Sequence, residues 1–127
     1  MGAAALARGA RATLGAPAGG SDLLRVGLVG CGGRGTGAVG EALAADRNVK
    51  LVAMADAFAD RLQLSLGSLK EKPEIAAKID VPPERQFVGF DACQRLLDSG
   101  VDVVLLATPP FFRPTHLKAA VDAGVHV

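Results

Sequence analysis

The sequence predicts an α/β chain built on a doubly wound parallel sheet, and three observations point to it. Short apolar runs at residues 26–29, 51–55 and 101–107 alternate with segments whose apolar residues recur at helical spacing. A Gly30-x-Gly32-x-x-Gly35 turn joins the first run to the first helical segment. Asp56 ends the second run, twenty-one positions after Gly35. Strand, glycine turn, helix and distant acid are the parts of a dinucleotide-binding βαβ unit, so the sheet is expected to be Rossmann-like with right-handed crossovers.

Residues 1–22 differ in composition from the rest. They are rich in alanine and glycine, carry Arg8, Arg11 and Pro17, and have no period. They read as a disordered leader or the remnant of an export signal, Ala16-Pro17-Ala18 resembling a small-residue cleavage site. The compartment follows from that choice: cytoplasmic by default, periplasmic if the leader is an export remnant. The nucleotide-binding domain is expected over residues 23–127, beginning with a buried parallel strand at 26–29.

Ala38, Val39, Ala42 and Leu43 mark one face of a helix running to about Asp46, and Arg47-Asn48 turns the chain into a second strand at 49–55. Phe58, Leu62, Leu66 and Leu69 predict a second helix over 57–70, which the following Lys-Pro segment ends. One helical turn around 75–79 and a loop at Val81-Pro82-Pro83 lead to a short third strand at 86–88. Asp91 is suited to cap a helix over 92–98, with Gly100 as its stop. Residues 101–107 form the strongest strand, with Asp102 near the end away from a ligand, and Thr108-Pro109-Pro110 breaks it. Pro114 fits the first turn of a helix to Ala123, with Leu117, Ala120 and Val121 facing inward and Gly124 ending it. Residues 125–127 begin a fifth strand, within which the domain is expected to be truncated.

Each glycine of the turn has its own task. Gly30 lets the chain turn sharply off the strand, Gly32 lets the backbone approach a pyrophosphate, and Gly35 lets the helix pack tightly on the strand. The amides of Cys31, Gly32, Gly33, Arg34 and Gly35 would face the phosphates, aided by the positive end of the helix dipole, and Arg34 adds a charge. The plain alternative is a glycine loop that binds nothing. Asp56 would hold the adenosine ribose hydroxyls and repel a 2′-phosphate, favouring NAD over NADP, while Arg61 one turn on weakens that preference. Asp56 also fits as an N-cap. A triphosphatase loop is a poor match, because Gly35-Thr36 lacks the lysine such loops need. Ligands of doubly wound sheets bind at the carboxyl ends of the strands, where the glycine turn, Asp56 and Thr108-Pro109 converge.

At 127 residues, half of them hydrophobic, the chain has room for one domain with a core. A net charge of +1 speaks against a nucleic-acid or membrane surface. With no tryptophan or tyrosine and five phenylalanines, a stacking platform for single-stranded nucleic acid is not expected. Cys31 and Cys93 have neither metal-ligand spacing nor the look of a disulfide pair, and no run is long enough to span a bilayer.

From Leu23 onward the chain resembles the N-terminal domain of the glucose-fructose oxidoreductase/inositol dehydrogenase (Gfo/Idh/MocA) family. The residues that carry the resemblance are Arg25-Val-Gly-Leu-Val-Gly-Cys-Gly-Gly-Arg-Gly35, Ala55-Asp56, Val101-Asp-Val-Val-Leu-Leu-Ala-Thr-Pro-Pro110 and the segment from His116 to Val127. The Cys-Gly-Gly-Arg-Gly-Thr-Gly turn with Phe87-Val-Gly-Phe-Asp91 also resembles a bacterial branch that often carries twin-arginine leaders, although no arginine pair stands here.

The resemblance implies a nicotinamide-dependent oxidoreductase of sugars, cyclitols or other polyols. It further implies that Thr108 and Pro109 line the cofactor cleft and that His116 lies near it. Phe111 stands where relatives often carry a polar residue. Members of the family continue into a Glu-Lys-Pro segment and a second α/β domain that builds the substrate pocket. The stretch here is therefore expected to be a cofactor-binding part, without catalytic residues and inactive alone, with some tendency to self-associate along an unpaired sheet edge. A dinucleotide-binding module without chemistry and an NAD-dependent glycoside hydrolase are the alternatives.

Overall fold

β1 (Leu24–Val29) is the central strand from which the rest of the domain is laid out. A computed structural model of the chain describes residues 23–127, and the expected leader over residues 1–22 lies outside the described residues. β2 (Val49–Asp56) runs parallel to one side of β1, and β4 (Val103–Leu106) runs parallel to the other. The short β3 (Gln86–Val88) extends the sheet beyond β2, giving the order β3-β2-β1-β4. His126 bridges Val103 in parallel on the free side of β4, with Val104 N–H donating to its carbonyl at 2.8 Å. The expected start of a fifth strand is therefore present as a single bridge.

The connections between strands are helical, as parallel neighbours require. α1 (Gly33–Ala45) joins β1 to β2, and α2 (Ala59–Lys70) with the single turn α3 (Pro73–Ala76) and a 3-10 turn at Pro83–Arg85 joins β2 to β3. α4 (Ala92–Asp98) leads to β4, and α5 (Arg113–Asp122) follows it. Two apolar clusters lie on the two faces of the sheet. Leu28, Leu51 and Met54 pack with Leu43 of α1 and with Leu62, Leu66 and Leu69 of α2. Val29, Val52, Ala55 and Val104 pack with Leu96 and Leu97 of α4 and Ala120 of α5. Alternate residues of β1 feed opposite clusters, so the strand is covered on both faces, as parallel sheets require.

Two polar ties fix the end of the sheet remote from the glycine turn. Asp102 accepts the Arg25 backbone N–H at 2.9 Å and receives the Arg25 guanidinium on both carboxylate oxygens. Lys78 donates its ammonium to the carbonyls of Leu43 and Asp46, satisfying acceptors that the end of α1 leaves open. Asp102 thus sits where the sequence places it, away from the carboxyl ends of the strands.

Two expectations need correction. Leu117 and Val121 were expected to face inward on the last helix, but they are 43% and 63% exposed, and only Ala120 of α5 is buried. The small Ala120 lets α5 sit close to α4, while Leu117 lines an open groove beside residues 104–106 and Val121 lies exposed. Phe58 was expected to extend the apolar stripe of α2, but it lies one residue before that helix and is 59% exposed. The cause is local: Asp56 Oδ1 accepts the Phe58 N–H at 2.9 Å, and the tight turn swings the ring out of the stripe.

Truncating a fully buried side chain should therefore differ sharply from truncating an α5 one. Leu62→Ala is expected to lower unfolding free energy by about 2–5 kcal/mol. Leu117→Ala should stay within about 0.5 kcal/mol. Urea-unfolding midpoints of the two variants check this.

Candidate functional site

The carboxyl ends of β1, β2 and β4 open into one cleft of about 710 Å³, within the size range of small-molecule and cofactor sites. Its floor is the glycine turn. Gly30 has φ of +96°, and a Cβ there would stand 2.7 Å from the Ala107 carbonyl carbon at the end of β4. A Cβ on Gly35 would lie 1.9 Å from the Gly30 carbonyl oxygen, so only glycine lets α1 start this close to β1. Gly32, by contrast, has free space above it, its nearest neighbour being an Arg61 nitrogen at 3.5 Å from the Cβ position. A cradle that a side chain would fill is thus left open toward the cleft.

α1 starts at Gly33, with Gly32 as its N-cap and no side chain capping it. The Thr36 amide is the first to find an intrahelical acceptor, the Gly32 carbonyl at 2.9 Å. The amides of Gly33, Arg34 and Gly35 precede it, so no helical carbonyl serves them. Such an end favours an anion. Thr36 Oγ1 also donates to the Gly32 carbonyl at 2.8 Å and meets Ser65 Oγ at 2.6 Å, which ties the first turn of α1 to α2.

One amide of the turn is already engaged. Cys31 N–H donates to Asp56 Oδ2 at 2.7 Å, so this amide serves the acid, and Cys31 itself is buried behind the turn. Burial, reinforced by the nearby Asp56 charge, pushes the Cys31 thiol up to about 12. Asp56 lines the cleft with both oxygens holding a backbone N–H, those of Cys31 and Phe58. A carboxylate oxygen has two lone-pair sites, so each retains room for a hydroxyl.

The opposite wall comes from the segment after β4. Thr108 and Pro109 line it, and Thr108 Oγ1 lies 3.2 Å from His116 Nδ1 in α5. Desolvation lowers the His116 pKa, which favours the neutral ring. The Phe112 ring stacks on His116 with centroids 6.0 Å apart, and Phe90, after β3, stacks on Phe112 at 6.4 Å. Phe111 points outward, 84% exposed, with its edge against Phe112.

The structure brings together Gly30, Gly32, Gly33, Arg34, Asp56, Thr108, Pro109 and His116 around the cleft, while Cys31 and Gly35 support it from behind. Sequence reasoning missed Phe58, Phe90, Phe112 and Arg113, all of which line it. For Arg113 a signal existed, since it directly precedes Pro114 at the expected helix start. Among the described residues no group of three His, Cys, Asp or Glu side chains could hold a metal ion, and no helix is long and apolar enough to cross a membrane. The residues present fit a dinucleotide: unserved amides for a diphosphate, an acid for ribose hydroxyls, and aromatic and apolar walls for flat rings. Gly35→Ala must push α1 off β1 and is expected to lose about 1–3 kcal/mol or more. A fall in the thermal midpoint, followed by circular dichroism, is the check.

The sequence matches the model of an oxidoreductase family with an NAD-binding Rossmann fold over residues 24–127. No curated protein matches it at a significant level. Among solved structures it is similar to a probable dehydrogenase from Thermotoga maritima, with 27% identity, TM-score 0.56, and 82% of this chain and 27% of that one covered. It is also similar in fold to scyllo-inositol dehydrogenase from Lactobacillus casei, with 19% identity, TM-score 0.57, and 83% and 27% covered. Biliverdin reductase from Synechocystis gives 24% identity, TM-score 0.59, and 82% and 28% covered. The chain thus spans little more than a quarter of these proteins. With the family matched from Leu24 to Val127 and the glycine turn and acid placed on one cleft, the chain belongs to the Gfo/Idh/MocA oxidoreductase family and comprises its NAD-binding Rossmann domain.

Proposed function

We propose that residues 23–127 bind the nicotinamide dinucleotide for an oxidoreductase that acts on sugars or other polyols. The observation that carries this reading is the uncapped start of α1 over Gly32, opening onto the same cleft as Asp56. The amides of Gly33 and Arg34, both on the cleft, hold the diphosphate, with Arg34 adding charge at the rim. Asp56 accepts the adenosine ribose hydroxyls while its bonds to Cys31 and Phe58 keep it in place. Thr108 and Pro109 line the far wall, and the Thr108–His116 contact fixes the imidazole beside it. With the dinucleotide held there, hydride-transfer chemistry toward a substrate carbinol would be available beside Thr108 and Pro109. The polyol class rests on the sequence resemblance and on the inositol dehydrogenase among its structural relatives.

Among the described cleft residues, His116 is the one side chain with an ordinary pKa near neutrality, so no acid/base pair stands ready for the carbinol proton. Binding without turnover is therefore expected of this chain. Titration calorimetry should show saturable binding of NAD, while incubation with NAD and a panel of polyols should leave the cofactor oxidised. Absence of any binding heat from the folded chain overturns the reading, and reduction of NAD overturns the claim of inactivity.

Self-association belongs to the same proposal. The outer side of β4 carries a single bridge at His126, and Leu117 and Val121 are exposed on the neighbouring helix. Unpaired edges and exposed apolar side chains invite a second copy. Sedimentation velocity across a concentration series should show mass increasing with concentration, and a monomer throughout the series would refute it.

A further inference from the structure

Resting on the dinucleotide reading above, we infer that Ser65 is a positioning residue for the diphosphate. Acting through Thr36, it holds the Gly32–Gly33 peptide so that the Gly33 N–H faces the cleft.

The starting observation is a hydroxyl on an apolar stripe. Ser65 shares the inner side of α2 with Leu62, Leu66 and Leu69, and at 4% exposure it is the one buried polar residue among the described residues. A hydroxyl in such a place is unfavourable unless it is bonded. Its partner is Thr36 Oγ1 of α1, at 2.6 Å. Thr36 has a single hydroxyl proton and donates it to the Gly32 carbonyl at 2.8 Å, so in the Ser65–Thr36 bond Ser65 is the donor. The donors therefore run in one direction, from α2 through Thr36 to the glycine turn.

That chain ends on the peptide that meets the ligand. The Gly32 carbonyl and the Gly33 N–H belong to one trans peptide unit, so they point in opposite directions. Glycine flanks the unit on both sides, and a Cβ placed at Gly33 would meet nothing within 4 Å, so side-chain packing does not hold its plane. Two bonds from Thr36 to the Gly32 carbonyl hold it instead, from the backbone N–H at 2.9 Å and from the hydroxyl at 2.8 Å. With the carbonyl turned into α1, the Gly33 N–H is left on the side of the cleft that Gly33 lines. Donation to a carbonyl also polarises its peptide, which makes the N–H at the other end a stronger donor. Ser65 itself does not line the cleft. Its hydroxyl fixes the Thr36 rotamer and strengthens the amide offered to a phosphate oxygen.

The test is calorimetric titration of NAD and ADP-ribose, with adenosine followed by NMR, into the folded wild-type chain, Ser65→Ala, Thr36→Val and Thr36→Ser. Alanine is the better helix former, so Ser65→Ala keeps α2. This variant should weaken NAD and ADP-ribose by about three- to tenfold and leave adenosine, which has no phosphate, within about twofold. Its Gly33 amide resonance should move before any ligand is added. Thr36→Val should weaken the same two ligands, and Thr36→Ser should keep wild-type affinity. Combining Ser65→Ala with Thr36→Val should cause no further loss than the worse single variant, because both act through one chain. Equal weakening of adenosine and ADP-ribose would make Ser65 a residue of the fold alone and overturn the inference. Unchanged NAD affinity or an unmoved Gly33 resonance in Ser65→Ala overturns it too, leaving the dinucleotide reading intact. Failure of NAD to bind a wild-type chain that circular dichroism shows folded sinks that reading and the inference with it.

Discussion

The closeness of Gly35 to the Gly30 carbonyl governs this domain. A methyl group at position 35 would stand 1.9 Å from that oxygen, well inside any permitted contact. Because hydrogen alone occupies the space, α1 begins directly against the end of β1. That approach aims the unserved amides of α1 into the cleft and brings Thr36 to the Gly32 carbonyl and Ser65. A helix held further out would leave the same amides without a fixed target. Packing density and the shape of the cleft floor thus have one cause here.

Asp56 makes the turn and the second strand a single unit. Its oxygens hold the amides of Cys31 and Phe58, one in the glycine turn and one at the entry to α2. Both donors would be left without a partner if the acid were removed, at about 1–3 kcal/mol for each group that stays buried. The residue is therefore a brace as well as the proposed acceptor of the ribose hydroxyls. The two roles are compatible because a carboxylate has more acceptor sites than the backbone uses.

Much of this was legible in the sequence, for physical reasons. The strands are short apolar runs with covered faces, and that pattern is local. The roles of Gly30, Gly32 and Gly35 follow from having no side chain, which needs no tertiary information. The helix over Ala92–Asp98 lies between Asp91 and Gly100 as expected, but the Asp91 carboxylate holds Arg95 and makes no side-chain cap bond. What escaped depends on contacts distant in sequence or on competing local bonds. Phe58 fits the helical stripe by spacing, and only the Asp56 bond to its amide turns it out. Leu117 and Val121 carry an apolar pattern that the packing of α5 through Ala120 leaves outside. The Cys31 amide seemed free for a phosphate until the fold placed Asp56 against it. The direction of Arg61 is a rotamer, which no spacing encodes.

The phenylalanines after β3 and β4 have a mechanical meaning. β3 and β4 are the two outermost strands, with β2 and β1 between them, so their ends stand about 14 Å apart at ordinary strand spacing. Phe90 and Phe112 cross that distance and meet, and His116 continues the pile into α5. The rings act as a strap drawn from one margin of the sheet to the other. Spreading the two margins would part these rings, so the breadth of the opening and the stacking above it change together.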